Sequence, residues 1–396
     1  MPKEEKNRGE ARIMITGGGS GGHIYPLVSV SAEIQILSSE DRRKIRIDYL
    51  GAYGPYKNLL EENGLKVWGI IGAKLRRYFS LRNFIDGSLF ALSLIQALFK
   101  VFWIMPDVVF SKGGPGSLAV ILAARFYRIP VIIHESDAVP GLTNVLSARF
   151  AEKVAISFPS TQKYFGAKSV LTGNPIRSYL LGPAFEEGGS DADEKRLARE
   201  FLKFDVQRPL VLFLGGSQGS TRLNDFVLEN LKLLLSRFQI FHQTGKQNYE
   251  SVLSRVGEAE SDLSDEEKKS YRIIDYFEKD VRIALRAADL VVGRAGSGSI
   301  FEIAAFGRPA ILIPLPEAAQ NHQLANAKEY AASGAAKVVE EVDLSTDLFL
   351  KEAIRILTDD DANKAMIEAA LKFAKPEAAE EIAKLIFNSI GLSSSA

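Results

Sequence analysis

Short apolar runs rich in β-branched residues alternate along the chain with longer segments whose apolar positions recur at helical spacing. Such alternation is the mark of parallel sheets wound by helices. In the first half the pattern predicts strands at Arg12–Thr16, Ile45–Leu50, Val108–Phe110, Val131–His134 and Val154–Ser157. A second series is predicted at Pro209–Gly215, Gln239–Gln243, Arg272–Ile274, Leu290–Gly293 and Ala310–Ile313. Each series opens with a strand that runs straight into glycines: Thr16-Gly-Gly-Gly-Ser-Gly-Gly-His23 in the first, Leu214-Gly-Gly-Ser-Gln-Gly219 in the second. The repetition is at domain scale. It predicts an α/β protein of two Rossmann-like, doubly wound parallel sheets, with a ligand cleft at the carboxyl ends of the strands.

The best boundary between the series is Leu181–Lys195, which holds Gly182, Pro183, Gly188, Gly189 and Ser190 among mixed charges. A polar insertion at Val256–Ser270 reads as a helix or loop on the far side of the second domain. The 396 residues suit two domains of roughly 150–200 residues each. With 46% hydrophobic and 25% charged residues the chain is globular rather than disordered or fibrous. Cysteine is absent, which excludes disulfides, thiolate metal sites and a cysteine nucleophile.

A formal net charge of zero hides an asymmetry. Residues 1–170 carry 22 Lys and Arg against 14 Asp and Glu, and the remainder carries 27 against 35. A basic first half suits contact with a polyanionic surface, although two ordinary solvated surfaces would give the same balance. No secretory leader is read, because Met1–Glu10 is charged and Ala11–Thr16 reads as a strand. The longest apolar stretch, Ser88–Phe99, stops at Lys100 and is shorter than the roughly 18–20 residues that cross a bilayer, so no membrane span is expected. These features place the protein on the cytosolic side.

The first glycine loop fits G-x-G-x-x-G at Gly17, Gly19 and Gly22, a device shared with dinucleotide enzymes. A dinucleotide site wants an acidic residue at the end of the next strand, and here Asp48 lies inside it, before Tyr49-Leu50-Gly51. The dehydrogenase reading is therefore weak. His23 opens the following helix, where the dipole disfavours its cation and keeps it in the neutral form a general base needs. The plainer reading is a histidine that only bonds its own loop.

In the second series Arg294-Ala-Gly-Ser-Gly-Ser-Ile-Phe-Glu302 joins a strand to a helix. Its amides and hydroxyls suit a diphosphate at the helix amino terminus. Glu302, one turn in, is placed either to accept from a ribose diol or simply to sit well in the helix dipole. Ser217 and Gln218 are further phosphate-contact candidates, and His322 and Gln323 candidates for sugar hydroxyls. Asp191-Ala-Asp193 and Asp359-Asp-Asp361 read as solvated charge runs rather than a metal motif, so helix termini and loop amides are expected to stabilise a leaving diphosphate. Paired carboxylates of the glycoside-hydrolase kind are not evident. Lys74, Arg76, Arg77 and Arg82 interleave with Tyr78, Phe79 and Phe84, which suits docking on an anionic membrane; a core helix with a charged outer face is the alternative.

Taken together, these motifs resemble the MurG glycosyltransferases. The resemblance is carried by Thr16–Pro26, His134-Glu135 with Pro140-Gly-Leu-Thr-Asn144, Gly173-Asn-Pro-Ile-Arg177, Gly215–Gly219 and His242-Gln-Thr-Gly245. Arg294-Ala-Gly296 with Glu302, and His322-Gln323 with Asn326-Ala327, complete the series in the family's order. It implies a GT-B fold of two facing domains, the first over residues 1–177 and the second over 178–376, with a last helix at about 377–396 returning to the first. It implies a metal-independent, inverting transfer of N-acetylglucosamine from UDP-N-acetylglucosamine to the muramoyl 4-hydroxyl of an undecaprenyl-diphospho-linked pentapeptide acceptor. By that resemblance His23 is the base, and Ser20, Gly21 and Gly22 lie beside the donor. Asp137, Arg177, Ser217, Gln218, Ser297, Gly298, Ser299, Ile300, Phe301, Glu302, His322 and Gln323 contribute substrate contacts, and the uracil bonds backbone near Glu278. No cofactor, metal or nucleic-acid partner is implied, and the enzyme sits peripherally on the inner face of the plasma membrane. Asp137 stands where the family commonly has asparagine, Asn321 where aspartate is common, and Ser297-Gly298 replace a more apolar pair. Rival readings are another GT-B transferase with a lipid or polyketide acceptor, a UDP-N-acetylglucosamine epimerase, and a non-catalytic nucleotide-sugar-binding subunit docked on a membrane partner.

Overall fold

The structure, a computed structural model, describes residues 10–40, 44–72, 82–182, 189–216, 219–277 and 280–392. The chain forms two compact units, Met1–Ser178 with Lys375–Ala396, and Tyr179–Ala374.

The first unit is built on β1 (Ala11–Thr16), β2 (Ile45–Gly51), β3 (Lys66–Gly69), β4 (Val108–Ser111), β5 (Val131–Glu135), β6 (Lys153–Ile156) and β7 (Ser169–Leu171). All pair in parallel, in the order β3-β2-β1-β4-β5-β6-β7. The second contains β8 (Leu210–Leu214), β9 (Gln239–Gln243), β10 (Tyr271–Ile274), β11 (Leu290–Gly293), β12 (Ala310–Leu312) and β13 (Ala336–Val338), also parallel, in the order β10-β9-β8-β11-β12-β13. Winding direction reverses between β1 and β4 in one sheet and between β8 and β11 in the other. At such a switch point the loops leave in opposite directions and open a crevice at the strand ends.

Central strands such as Ile13-Met-Ile15 are buried on both faces, which is why their sequence is an unbroken apolar run. The hydrophobic pattern misses β3, β7 and β13. Each is an edge strand of three or four residues carrying Lys66, Ser169 or Lys337, too short and too polar to show a period.

Four helices matter for the first unit: α1 (Gly21–Glu40), α2 (Arg82–Ile104), α3 (Ser117–Phe126) and α4 (Leu142–Ser147). Helix α2 corrects the expectation of an apolar stretch ending at Lys100. It continues through Lys100 to Ile104, and the Lys100 ammonium is satisfied by donating to the carbonyl of Gly69 at 2.6 Å. Gly87–Ile104 is thus long and apolar enough to cross a bilayer by length and composition. One stripe of it, Ala97, Val101 and Ile104, nevertheless packs in the same core as Val120 and Ala124 of α3.

A second correction concerns Leu181–Lys195, whose carboxyl-terminal part opens helix α5 (Asp191–Phe201) behind a Ser190 capping box. Asp191 is exposed, with 55% of its side chain open to solvent, but it is not a free charge. It pairs with Arg308, 3% exposed, at 2.9 Å and with Arg286 at 2.9 Å, so the Asp-x-Asp pair is structural. Asp359 caps the helix that follows it by accepting from Ala362 N.

The remaining helices used below are α6 (Thr221–Glu229), α7 (Ser297–Ala305), α8 (His322–Ala332) and α9 (Ala378–Ser389). Helix α9 belongs to the first unit. Its Ile382, Ile386 and Phe387 share a core with Ile24, Leu27 and Val30 of α1 and with Ile13 and Ile15 of β1.

Candidate functional site

In the first unit the loops after β1 and β4 interlock at the switch point. Gly18 N donates to Gly113 O at 2.9 Å. Gly114, at φ +91°, admits no side chain, because a Cβ there would lie 2.8 Å from Gly18 N and 3.1 Å from His23 Nε2. The His23 ring therefore rests on glycine backbone. Its Nδ1 lies 2.7 Å from Ser20 Oγ. Burial first, and the Lys112 ammonium second, push its pKa down to about 4, with Asp137 opposing, so the ring is neutral at neutral pH.

The other three histidines do different work. His134 Nε2 donates to Gly173 O at 3.0 Å and is fully buried. His242 lies between Tyr271 Oη and Asn224 Oδ1, at 3.0 and 2.9 Å, with burial holding its pKa at about 3. His134 ties its strand to the loop after β7, and His242 ties β9 to Tyr271 of β10 and to Asn224 of α6. His322 donates from Nδ1 to Ala319 O at 2.8 Å at the start of α8.

Beside His23 lies a polar knot that spacing alone does not reveal. Glu135 accepts from Asp137 N, Gly141 N and Asn144 Nδ2, each at 3.0 Å, and so folds the 136–141 loop onto α4. Burial raises its pKa, and the Asp137 carboxylate raises it further; the donors and Lys112 oppose this. Lys112, 3% exposed, has its own pKa lowered by burial, against the pull of Glu135 and Asp137. The run Ser111-Lys-Gly-Gly-Pro was a third strand-to-glycine junction in the sequence, and that signal would have found Lys112. Arg177 is buried, its guanidinium 5.7 Å from the ring centre of Tyr25 on α1. Gly21 is half-buried, while Ser20 and Gly22 are exposed.

In the second unit Gly296, extended, precedes α7 and no side chain caps the helix. Its first-turn amides are free to meet an anion. Ser297, Ser299 and Glu302 are half-buried and Gly298 is exposed. Ile300 and Phe301 fill the core, Phe301 against the ring of Phe373, so only their backbone is available to a ligand. Gln323 Oε1 accepts from Leu315 N at 3.0 Å, holding the loop after β12. Gln320 and Asn321, both left-handed at φ +57° and +52°, form the strained turn before His322. Arg294 donates to Ile313 O at 3.1 Å and to Ser220 Oγ at 2.6 Å.

Ser217, Gln218 and Glu278 lie outside the described residues, as do Lys74, Arg76, Arg77 and Phe79 and the side chains of Arg82 and Phe84. The flanks of the first three are joined by one residue that the sequence reading gave no role. Gln243 donates to Gly216 O at 3.0 Å and accepts from Phe277 N at 3.1 Å. Asp48 is occupied by Arg46 and by Trp68 Nε1, at 2.7 and 2.8 Å, and is not presented to a ribose.

Residues 13–156 match the glycosyltransferase family 28 N-terminal domain and residues 210–382 its C-terminal domain. The chain is 36% identical to the UDP-N-acetylglucosamine--N-acetylmuramyl-(pentapeptide) pyrophosphoryl-undecaprenol N-acetylglucosamine transferase of Clostridium tetani (strain Massachusetts / E88), over 86% of this chain and 88% of that protein. It belongs to the MurG family. A second such transferase, from Bacillus cereus (strain ATCC 10987 / NRS 248), is 34% identical over 91% and 94% of the two chains. The crystal structure of Acinetobacter baumannii MurG superposes with a TM-score of 0.72 at 27% identity, covering 96% of this chain and 99% of that one. The UDP-GlcNAc 2-epimerase of Neisseria meningitidis, bound to UDP-GlcNAc, reaches a TM-score of 0.64 at 13% identity over 96% and 100% of the chains, and shares the fold alone. The Asp137 carboxylate lies close enough to act on both His23 and Glu135.

Proposed function

We propose that this chain transfers N-acetylglucosamine from UDP-N-acetylglucosamine to the 4-hydroxyl of the muramoyl sugar in an undecaprenyl-diphospho-linked pentapeptide, with His23 as general base. The observation that carries the chemistry is the neutral imidazole held by Ser20 on a bed of glycine backbone, in a chain of this family. For Nε2 to accept a proton, Nδ1 must carry the ring hydrogen and donate it to Ser20 Oγ. As the acceptor oxygen attacks C1 of the donor sugar, its proton passes to Nε2. The C1–O bond to UDP breaks with inversion, and UDP leaves with the electron pair.

On the donor side the uncapped amides of α7, with Ser297, Gly298 and Ser299, would take the diphosphate, and Glu302 the ribose. Arg177, Asp137, Ser217, Gln218, Glu278, His322 and Gln323 keep the substrate contacts that the family resemblance implies.

Docking on an anionic membrane is part of this reading. Phe99, Phe102 and Trp103 of α2 and Phe126 of α3 are exposed, Trp103 by 70%, in one run of ring contacts through Tyr127. Arg125 and Arg128 flank that run and are exposed. Aromatic surface beside cations suits a headgroup layer, as does the basic excess of residues 1–170. Incubation with radiolabelled UDP-N-acetylglucosamine and a short-chain lipid-linked acceptor, in the presence of a chelator, tests the reading. Label should enter the lipid; none entering would reject the acceptor, and a strict need for added metal would reject the mechanism.

A further inference from the structure

Arg294 joins several strand-end loops of the second unit. Its guanidinium meets Ser220 Oγ at the amino terminus of α6, after the glycine turn of β8. It also meets the carbonyls of Ile313 and Pro314, after β12, at 3.1 and 3.3 Å. Its own backbone leads into the α7 loop, where Ala295 O accepts from the buried Asn326 Nδ2 at 3.2 Å. Three strand-end loops are thus joined through one cation that is only 11% exposed. A cation so placed requires a counter-charge, and among the described residues it comes from Glu341, 8% exposed, which follows β13 and ion-pairs with Arg294. The other oxygen of Glu341 pairs with Arg222, which also reaches Glu317 at 3.1 Å and is itself well exposed.

We infer that Glu341, which lies outside every family motif in this sequence, is a positioning residue for the sugar-nucleotide site. It holds Arg294 in the one orientation that keeps the loops after β8, β11 and β12 in register. Glu341 touches no substrate in this account; it acts through Arg294. The inference rests on the donor-site reading above. Without the carboxylate, Arg294 swings toward water, the Ser220 and Ile313 bonds break, and the α7 amides lose their fixed frame.

Steady-state kinetics on the full chain, with donor and acceptor varied separately, distinguish this from a general stability role. E341A should raise the KM for UDP-N-acetylglucosamine about tenfold while kcat and the acceptor KM stay within about threefold, the signature of lost donor binding. R222A, which leaves the Arg294 pair intact, should stay within about twofold in all three. Titration calorimetry with UDP alone should repeat the donor effect. If E341A does not fold, E341Q, of the same shape without the charge, is read in the same way. A donor KM within twofold of the parent overturns the inference, as does an equal loss in every parameter with a lower melting temperature. An unsubstituted protein that binds no UDP would instead overturn the donor-site reading itself.

Discussion

Ser20 Oγ and His23 Nδ1 lie 2.7 Å apart across the first turn of α1, which leaves Nε2 as the ring nitrogen for chemistry. Removing the imidazole should therefore cost far more than removing its partner. H23A is expected to lower kcat by about 10²–10⁴ with the donor KM little changed. S20A, which only frees the ring to change tautomer and rotate, should lower it by about threefold to thirtyfold. Single-turnover rates with saturating donor check both, and equal losses would contradict the assignment of the base.

Acid should unfold the protein earlier than its surface charges suggest. His242 is held at about 3 and His134 well below 6.5, whereas the unfolded chain titrates them near 6.5. Below that pH the unfolded state binds protons that the native state refuses. Stability is then full above about pH 7 and falls by about 1.4 kcal/mol per pH unit per histidine as acid is added. Urea midpoints between about pH 8 and 5 should trace this slope, and H242N should flatten it. A midpoint independent of pH over that range would contradict the argument.

Gly173 has φ +87° and a Cβ there would fall 2.3 Å from Lys375 Cβ. Backbone strain and overpacking together predict a loss of about 2–4 kcal/mol for G173A. Gly166, at φ +57° and ψ −134° with open space around it, supplies the control; G166A carries backbone strain without overpacking and should cost about 1–3 kcal/mol, less than G173A. Denaturant titration of the two variants makes the comparison.

Serine at Phe99 and Trp103 should weaken binding to vesicles containing anionic lipid by about tenfold or more, since both rings leave water on docking. Turnover of a soluble short-chain acceptor should be unchanged. Retained vesicle binding would move the membrane contact elsewhere on the chain.

The parts of this protein that announce themselves in sequence are those whose burial is uniform. Ile13-Met-Ile15 and Leu290–Gly293 lie between two helical layers and show as apolar runs, and glycines after β1 and β8 mark where backbone approaches backbone. His23 was legible because it follows such a turn. Lys112 follows one too, yet a lysine reads as solvated, and only the fold shows it buried beside Glu135. Asp191 and Glu341 escaped for another reason. Their cationic partners stand far away along the chain, 117 residues in the case of Asp191 and Arg308, and no local period records such a pair. Asp191-Ala-Asp193 in particular has the look of a metal motif and serves instead to fasten α5.

Helix α9 completes the core of the first unit although the whole of the second lies before it in the chain. During synthesis from the amino end, the core around Ile13, Leu27 and Val30 gains its α9 side chains only after the whole second unit has been made. The second unit has every one of its strands by then. The domain that begins first is thus the one that finishes last.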